Sequence, residues 1–460
     1  MRRVLVLGAA GRDFHNFNLI FRNKPEFDVV AFTANQIPDI AGRHYPPELA
    51  GSLYPRGIPI LEECRMEEIV REEQVDVVVF SYSDVKHETV MHLASRAVAA
   101  GADFWLLSAA HTQLQAAVPV ISVCAVRTGC GKSPVSRRIA AELRSQGWHP
   151  VVIRHPMAYG DLVAQRCQRF ATLADLDRYE CTIEEREEYE PHISEGTTVY
   201  AGVDYYDIMK AAEEDGNVLL WDGGNNDTCF YRPDLDIVVL DPHRAGHELA
   251  YWPGEVNFRT AHVLIINKVD TAKPEAIETV RHNIAKVNPT AQVIETACRV
   301  MVDDPESITG KHVLVVEDGP TLTHGEMTYG AGVFAALQNK AGKIVDPRPY
   351  AVGSIQKTFE KFPHLGNVLP AMGYSETQRH ELQETIRRVP CDLVLVATPI
   401  DLARTIHIDQ ATDRVRYEVE EVGEPAIAQL IERFTAVKAK AAFAGGPDSQ
   451  HERVPTLAGR

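Results

Sequence analysis

Short runs of apolar and β-branched residues recur along the chain, each followed by a polar or Gly-rich turn and a stretch with helical spacing. The first run is Val4–Leu7, and Phe14–Arg22 after it has the spacing of a helix. The next predicted strand is Asp28–Thr33. Strands that are apolar throughout and alternate with helices are typical of a parallel sheet covered on both faces. The pattern therefore predicts an α/β fold that opens with a βαβ unit.

The first predicted domain covers residues 1–115 and has the element order of a Rossmann-like parallel sheet. Its further strands are predicted at Val75–Ser81 and Asp103–Ser108. The first turn, Gly8–Asp13, has the spacing G-x-x-G. It lacks both the third glycine and the acid after the second strand that dinucleotide binding uses, so the pattern does not favour a dinucleotide site.

A later apolar run, Val120–Val126, leads into Arg127-Thr-Gly-Cys-Gly-Lys-Ser133 and then into a predicted helix, Val135–Arg144. Strand, Gly-rich loop, Gly-Lys-Ser and helix are the context of a phosphate-binding P-loop. The two glycines would let backbone N–H groups surround phosphate oxygens. Lys132 would bridge the β- and γ-phosphates, and the Ser133 hydroxyl would ligate Mg²⁺.

The loop departs from the common pattern G-x-x-x-x-G-K-S/T, because Val126 occupies the position of the first glycine. It resembles instead the deviant form K-G-G-x-G-K-S/T, which is found in a class of dimeric nucleotide-dependent proteins. In that alignment Arg127 takes the place of the additional lysine, which often reaches the nucleotide of the partner subunit. The alternative is a tight turn that contains Gly-Lys-Ser by chance, and two further motifs argue against it.

Two later strands end in motifs that complete a nucleotide site. Asn217–Asp222 is an apolar strand ending in an acid, so Asp222 is predicted to hold Mg²⁺ directly or through water. Val263–Asp270 ends in N-K-V-D, the base-reading motif of GTPases. Its asparagine contacts purine N7, its lysine stem covers the ring, and its aspartate accepts from N1 and N2 of guanine. We therefore predict a nucleoside triphosphate site in a P-loop domain at residues 116–441.

The residues predicted for this site follow from the three motifs. Nucleotide binding is assigned to Arg127, Thr128, Gly129, Cys130, Gly131, Lys132, Ser133, Asn267, Lys268 and Asp270. Catalysis is assigned to Lys132, Arg127 and Asp222. The predicted metal ligands are Ser133, Asp222 and Asp161.

Polar and basic residues follow several predicted strands in a chain whose net charge is −17. The carboxyl ends of parallel strands meet at one edge of a sheet, where α/β proteins bind ligands. We predict a pocket for a small polyanion there, formed by Arg12, His15, Asn16, Arg43, His44, Lys86, His87, Arg154, Arg244, Thr323 and His324. The alternative is that these residues are solvated loop ends.

Composition and charge argue against two classes of protein, nonspecific nucleic-acid binders and membrane-spanning proteins. The net charge of −17 argues against nonspecific nucleic-acid binding. No stretch approaches the roughly 20 apolar residues that span a bilayer, and scattered cysteines without C-x-x-C spacing indicate a reducing cytoplasm. Residues 162–215 have a helical pattern throughout, and Glu184–Glu188 within them is predicted to be a solvated helix face. The tail, 442–460, is predicted to be disordered.

Four sequence motifs together resemble the cyclic 2,3-diphosphoglycerate synthetases, over nearly the whole chain up to the tail. They lie at Gly8–Phe17, Ile40–Pro46, Val126–Ser133 and Glu317–Gly325. The resemblance implies an N-terminal substrate domain, a SIMIBI-like P-loop domain and a homodimer. It also implies an ATP- and Mg²⁺-dependent ligase that forms an intramolecular phosphoanhydride from 2,3-diphosphoglycerate and releases ADP and phosphate.

The donor nucleotide and the class of activity remain open at the level of sequence. The N-K-V-D motif suits GTP, whereas the family resemblance implies ATP. The implied reaction transfers the γ-phosphoryl group to one substrate phosphate, and the other phosphate then closes the ring. The alternative is a regulatory GTPase or maturation chaperone of the deviant P-loop class. Such a protein has no need of a basic N-terminal domain.

Overall fold

The computed structural model describes residues 1–35, 42–155, 160–224, 227–323, 327–373 and 375–444. Within this part of the chain the protein is a mixed α/β structure, and most neighbouring strands of its two large sheets are parallel. The predicted α/β class with parallel sheets is confirmed. No helix among the described residues is long and apolar enough to cross a membrane.

The N-terminal part forms one sheet with helices on both sides. The strands in this part of the chain are β1 (Arg2–Leu7), β2 (Phe27–Ala34), β3 (His44–Tyr45), β4 (Ile58–Glu62), β5 (Val77–Phe80), β6 (Val85–Lys86) and β7 (Asp103–Leu106). All of them except β6 belong to this sheet. Its helices are α1 (Arg12–Asn16), α2 (Pro47–Ala50), α3 (Met66–Glu72), α4 (His87–Ala100) and α5 (Ala109–Thr112). The strand order is β3-β4-β2-β1-β5-β7, and only the short edge strand β3 pairs antiparallel.

The middle of the chain forms the P-loop half of a second, larger sheet. The strands in this part of the chain are β8 (Val120–Ala125), β9 (Pro150–Arg154), β10 (Gln168–Phe170), β11 (Thr198–Ala201), β12 (Val218–Trp221), β13 (Leu235–Leu240), β14 (Tyr251–Trp252), β15 (Val263–Ile266) and β16 (Gln292–Val302). All of them except β14 belong to the large sheet. Its helices are α6 (Lys132–Ser145), α7 (Leu173–Arg178), α8 (Ile183–Ser194), α9 (Tyr205–Asp215), α10 (Gly254–Thr260) and α11 (Pro274–Val287). The prediction that 162–215 is wholly helical was wrong, because β10 and β11 extend the sheet there.

The C-terminal part continues the same sheet. Its strands are β17 (His312–Asp318), β18 (Lys343–Ile344), β19 (Leu369–Ala371), β20 (Leu393–Ala397) and β21 (Thr412–Glu421). Its helices are α12 (Gly319–Thr323), α13 (Ala331–Gln338), α14 (Gly353–Lys361), α15 (Glu376–Arg388) and α16 (Ile427–Ala444). The sheet order is β10-β11-β9-β12-β8-β13-β15-β16-β21-β20-β17-β18, with β19 beside β17.

The long strand β16 joins the two halves so that they face each other. Its first residues, from Gln292 to Glu295, pair parallel with β15, and the stretch from Thr296 to Val302 pairs antiparallel with β21. Because β21, β20 and β17 are mutually parallel, the C-terminal strands run back toward the P-loop half. The carboxyl ends of both sets of parallel strands therefore point at one cleft. Ligands of open α/β sheets bind at such carboxyl edges.

A buried arginine joins the N-terminal sheet to the P-loop half. Arg12 donates from Nε to Asp227 Oδ1 at 2.9 Å, and its guanidinium lies 4.0 Å above the ring of Phe230. The ring of His15 stacks on the same Phe230 ring, with 4.2 Å between the ring centroids. A two-stranded pairing of β14 with β6 links the same two parts. Arg12 and His15 thus make contacts that hold this junction, and their assignment to substrate binding stays a prediction.

We expect Arg12→Ala to destabilise the protein by about 1.5–3 kcal/mol, the usual cost of losing a hydrogen bond to a charged group. The carboxylate of Asp227, which is 3% exposed, would lose this partner. Urea unfolding measures the effect. Lys86→Ala, at an exposed position of the same domain, should stay within about 0.5 kcal/mol of wild type. An Arg12→Ala variant with wild-type stability and weakened substrate binding would support the assignment to substrate binding.

Candidate active site

The P-loop follows β8 and opens helix α6, as predicted. Gly129 and Gly131 have φ values of +81° and +96°, which only glycine adopts without strain. A Cβ on Gly131 would lie 2.1 Å from the side-chain nitrogen of Asn267. Because α6 begins at Lys132, its N-terminal N–H groups and positive dipole end face the loop. The local geometry is that of a phosphate site.

Lys132 and Asp222 form the centre of a buried ion network. The Lys132 ammonium contacts Asp222 Oδ1. Asp222 Oδ2 contacts Arg154 at 2.6 Å and His192 at 2.9 Å. Burial lowers the pKa of Lys132 to about 8, with Arg154 adding to this effect and Asp222 opposing it. Burial alone would raise the pKa of Asp222, but Arg154 and Lys132 outweigh it and hold that pKa well below its usual range.

The predicted metal ligands do not all lie together. Ser133 borders the same cavity as Lys132. Asp161 caps an exposed turn, where its Oδ1 accepts hydrogen bonds from the N–H groups of Val163 and Ala164. Its assignment as a metal ligand stays a prediction. Asp222 fits an Mg²⁺ site only through water, or after Lys132 moves toward a phosphate, because both of its oxygens hold cationic partners.

The first two residues of N-K-V-D hold the P-loop rather than project outward. Asn267 donates to the Cys130 carbonyl at 2.9 Å and accepts from Thr296 at 2.9 Å, and it is fully buried. Lys268 donates to the Gly129 carbonyl at 2.6 Å. Both ends of the Asn267 amide are therefore engaged by the protein in this arrangement, and its contact with purine N7 stays a prediction. The motif connects the β15 terminus to the phosphate loop.

Asp270 is exposed at the end of the same motif, where it accepts a hydrogen bond from the Cys298 N–H at 3.3 Å. If it accepts from guanine as well, Asp270→Ala should lower kcat/KM for GTP about tenfold or more, by loss of a charged hydrogen bond. The value for ATP should change less than about twofold, because adenine offers no donor pair at that edge. Steady-state kinetics with both nucleotides measure this ratio. Equal losses, or none, would leave the motif as a strand terminus only.

Arg127 is committed within its own chain. Its Nε donates to Asp84 Oδ1 at 2.6 Å, and its guanidinium lies 3.6 Å above the ring of Tyr251. The Thr128 N–H donates to the other oxygen of Asp84 at 3.1 Å. The Arg127 side chain is 1% exposed in this arrangement, and its predicted roles in catalysis and nucleotide binding stay predictions. The sequence pattern did not single out Asp84, which follows the β5 exit.

The other predicted substrate residues are also dispersed. Asn16 donates to Ser81 at 3.0 Å within the N-terminal core, and Arg43 donates to the Gly160 carbonyl. His87 lies 3.5 Å from Glu255 across the junction with the P-loop half. The remaining five are exposed, engaged elsewhere or outside the described residues: His44 and Lys86 are exposed, Arg244 contacts Asp241, the Thr323 hydroxyl donates to the Gly319 carbonyl, and His324 lies outside. The described residues do not form the polyanion pocket predicted for the N-terminal domain.

A cavity of about 330 Å³ lies in the cleft between the two halves of the large sheet. One wall is the P-loop, with Lys132 and Ser133. The lining also carries four carboxylates, which come from α8 and from the end of β17: Glu187, Glu188, Glu317 and Asp318. Arg137, Arg154 and Lys268 line the same cavity, and Arg154 pairs with Glu188. A third part of the lining is apolar or aromatic and includes Met327, Tyr329 and Phe334.

The acidic residues of α8 point inward. Glu184 and Glu187 are 0% and 6% exposed, so the prediction of a solvated helix face was wrong. The helix begins at a capping box, in which Thr182 and Glu185 satisfy each other's backbone N–H groups. The Glu184 carboxylate accepts from the Gly373 N–H at 3.0 Å, which fixes α8 against the C-terminal part.

The β17 end completes this acidic part of the lining. Glu317 Oε1 accepts hydrogen bonds from the N–H groups of Gly330 and Val333, each at 3.1 Å. Burial raises the pKa of Glu317 to about 7, although these N–H donors oppose the shift. Asp318 accepts from the Thr321 hydroxyl, and burial raises its pKa as well. The end of β17 therefore contributes these two acids to the cavity, and the hydroxyl of the predicted phosphate ligand Thr323 donates to the Gly319 carbonyl at 2.9 Å.

The chain was compared with known proteins. No protein-family model matches it. It is 62% identical over 433 residues to arginine synthetase ArcE of Thermococcus kodakarensis, covering 94% of this chain and 97% of that protein. LpxK from Aquifex aeolicus, solved with ATP, aligns with 70% of this chain and 90% of its own at 14% identity and a TM-score of 0.41. Aspartate semialdehyde dehydrogenase from Candida albicans aligns with 32% of this chain and 39% of its own at 20% identity and a TM-score of 0.19.

Proposed function

Because the chain belongs to the family of arginine synthetase ArcE, we propose that it is an ATP-dependent ligase that forms the guanidinium group of arginine. The 62% identity extends over nearly the full length of both proteins. The name of that relative describes a synthetase whose product is a cation. The proposal is therefore that this chain joins nitrogen to carbon at the expense of a nucleotide.

One observation carries the proposal: a single cavity brings the P-loop together with four carboxylates, Glu187, Glu188, Glu317 and Asp318. The loop and helix α6 suit the phosphates of a nucleotide, through backbone N–H groups and Lys132. The acids suit a positively charged group, because a buried carboxylate is stabilised by a cation at hydrogen-bonding distance. A reaction that brings a γ-phosphate next to a developing guanidinium needs both sets of residues.

The chemistry follows from the structure of the product. The precursor is the ureido analogue of arginine, which has oxygen in place of one terminal nitrogen. Its oxygen attacks the γ-phosphorus, so that an O–P bond forms and ADP leaves with the electron pair of the broken bond. Ammonia then adds to the carbon. The C–O bond breaks, phosphate leaves with its electrons, and the product retains the positive charge.

Residues of the chain have distinct roles in this scheme. Lys132 stabilises the charge that spreads over the transferred phosphoryl group. Ser133, with Asp222 acting through water, would hold Mg²⁺, which supplies neutralisation of phosphate charge. Arg154 is held between Asp222 and Glu188, so it keeps Asp222 in place.

Formation of cyclic 2,3-diphosphoglycerate is the second candidate, and the sequence motifs favour it. That substrate carries about four negative charges, and bidentate arginines are the usual means of holding phosphates. In the described part of the chain, however, Arg12 is paired with Asp227 and Arg127 with Asp84. The cavity carries four carboxylates beside its cationic residues, and these acids would face a polyanion bound there. These contacts support arginine formation over the phosphoanhydride.

The regulatory GTPase alternative is not favoured, because the relative is named as a synthetase. We retain three further proposals from the sequence: use of Mg²⁺, a cytoplasmic location and a homodimer. In this arrangement the Arg127 side chain is buried against Asp84. Light scattering of the purified protein tests the oligomeric state.

A substrate screen tests the proposed function. Purified protein is supplied with MgATP and either the ureido analogue with ammonium, or 2,3-diphosphoglycerate alone, or no acceptor, and ADP release is measured. We expect the first mixture to release ADP well above the other two. Release with 2,3-diphosphoglycerate only would support the second candidate, and equal release without acceptor would support a simple nucleotide hydrolase.

A further inference from the structure

Both carboxylate oxygens of the cavity-lining Glu187 are buried without an amide, hydroxyl or cationic hydrogen-bond donor among the described residues, and they face the Asp318 carboxyl. Its side chain belongs to a residue that is 6% exposed, and it lines the cavity together with the P-loop. Glu317 and Asp318, by contrast, accept from backbone N–H groups or from a threonine hydroxyl. A buried carboxylate without a donor costs several kcal/mol unless it is neutralised or paired with a cation.

The charged neighbours of Glu187 are acids. Burial raises the pKa of Glu187 well above its usual value, and the facing carboxyls of Asp318 and Glu184 add to the shift. Two facing carboxyls cannot both ionise unless a cation lies between them, so without one they share a proton. Nothing in the architecture of α8 requires this residue to be acidic, because Thr182 and Glu185 already cap the helix.

We propose that Glu187, together with Asp318, forms the subsite for the positively charged guanidinium end of arginine. The proposal rests on the proposed function and deepens it by assigning the cationic half of the ligand to two residues. A planar guanidinium offers paired N–H donors that match two carboxylates, and the apolar lining near Tyr329 and Phe334 suits the aliphatic chain. In the synthetic direction, this is where the incoming nitrogen acquires its share of positive charge.

The test compares the affinities of Glu187→Gln and wild type for arginine and for its ureido analogue, by calorimetry in the presence of ADP. We expect arginine to bind about 10- to 100-fold more weakly to the variant, the range that follows from losing a charge-assisted contact. The neutral ureido analogue and ADP should bind within about twofold of wild type, because neither presents a cation to these acids. A merely structural role of Glu187 would weaken both ligands alike.

Glu185→Gln is the matched control, since Glu185 is buried on the same helix but bonds Thr182 instead of lining the cavity. Its arginine affinity should equal that of wild type. If wild type binds arginine and Glu187→Gln binds it equally well, the subsite assignment is overturned while the proposed function stands. If wild type binds neither arginine nor its ureido analogue, the proposed function itself fails. Thermal unfolding of both variants confirms that the fold is intact.

Discussion

Lys132→Ala is expected to lower nucleotide-dependent turnover by about 100-fold or more, because it removes a cation from the position at which the transferred phosphoryl group gains charge. Lys132 is half-buried at the start of α6 and contacts Asp222, so its ammonium is held between the network and the cavity. The rate of nucleotide-dependent arginine formation by the variant and by wild type measures the effect.

The fold of this variant should remain intact. Asp222 keeps its contacts to Arg154 and His192, at 2.6 Å and 2.9 Å, when Lys132 is removed. Lys210→Ala is a suitable control, because Lys210 is a surface residue that pairs with Glu213 on the same helix. The turnover of this variant should match wild type. A Lys132→Ala enzyme that turns over at the wild-type rate would exclude the P-loop from the mechanism.

Asp222→Ala is expected to cost about 3–5 kcal/mol of stability and to abolish turnover, because it leaves buried cations without their counter-charge. Asp222 is fully buried and contacts Lys132, Arg154 and His192. Because its pKa is depressed in the folded state, this carboxylate stabilises the protein at neutral pH. This stabilisation is fully present at pH values above the ordinary pKa of a carboxyl group, and it is lost as the pH falls through the pKa of the folded state.

Urea unfolding at neutral and at acidic pH measures this contribution. The difference between wild type and Asp222→Ala should shrink toward low pH, where protonation removes the charge from wild type as well. Asp161→Ala is the contrasting variant, because Asp161 only caps an exposed turn and should cost about 1 kcal/mol or less. A large activity loss in Asp161→Ala would support its assignment as a metal ligand.

The sequence was sufficient to predict the elements that depend on local pattern. Apolar runs predicted the buried strands, and the glycines with positive φ at 129 and 131 are where the P-loop motif requires them. Lys132 and Asp222 lie together as their motifs imply, since both follow neighbouring parallel strands, β8 and β12. Contacts between adjacent strands of one sheet are the kind that a motif order can indicate.

The acidic part of the lining could not be predicted, because it depends on how distant strands pair. Glu187 and Asp318 meet only because β16 extends past β15 and pairs antiparallel with β21, which turns β17 back toward the P-loop. By pattern alone, a run of glutamates on a helix is solvated. The same limit applies to Arg12, since nothing local shows that its partner is Asp227, 215 residues later.

We propose that the protein uses one cavity both to transfer a γ-phosphoryl group to a ureido oxygen and to replace that oxygen with nitrogen. Isotope transfer tests it directly, with the ureido analogue labelled with ¹⁸O at its carbonyl, ¹⁵N-ammonium and MgATP, followed by mass spectrometry of the products. We expect the ¹⁸O label in the released inorganic phosphate and the ¹⁵N label in the guanidinium of arginine. ADP formation with unlabelled phosphate, or without labelled arginine, would contradict the account.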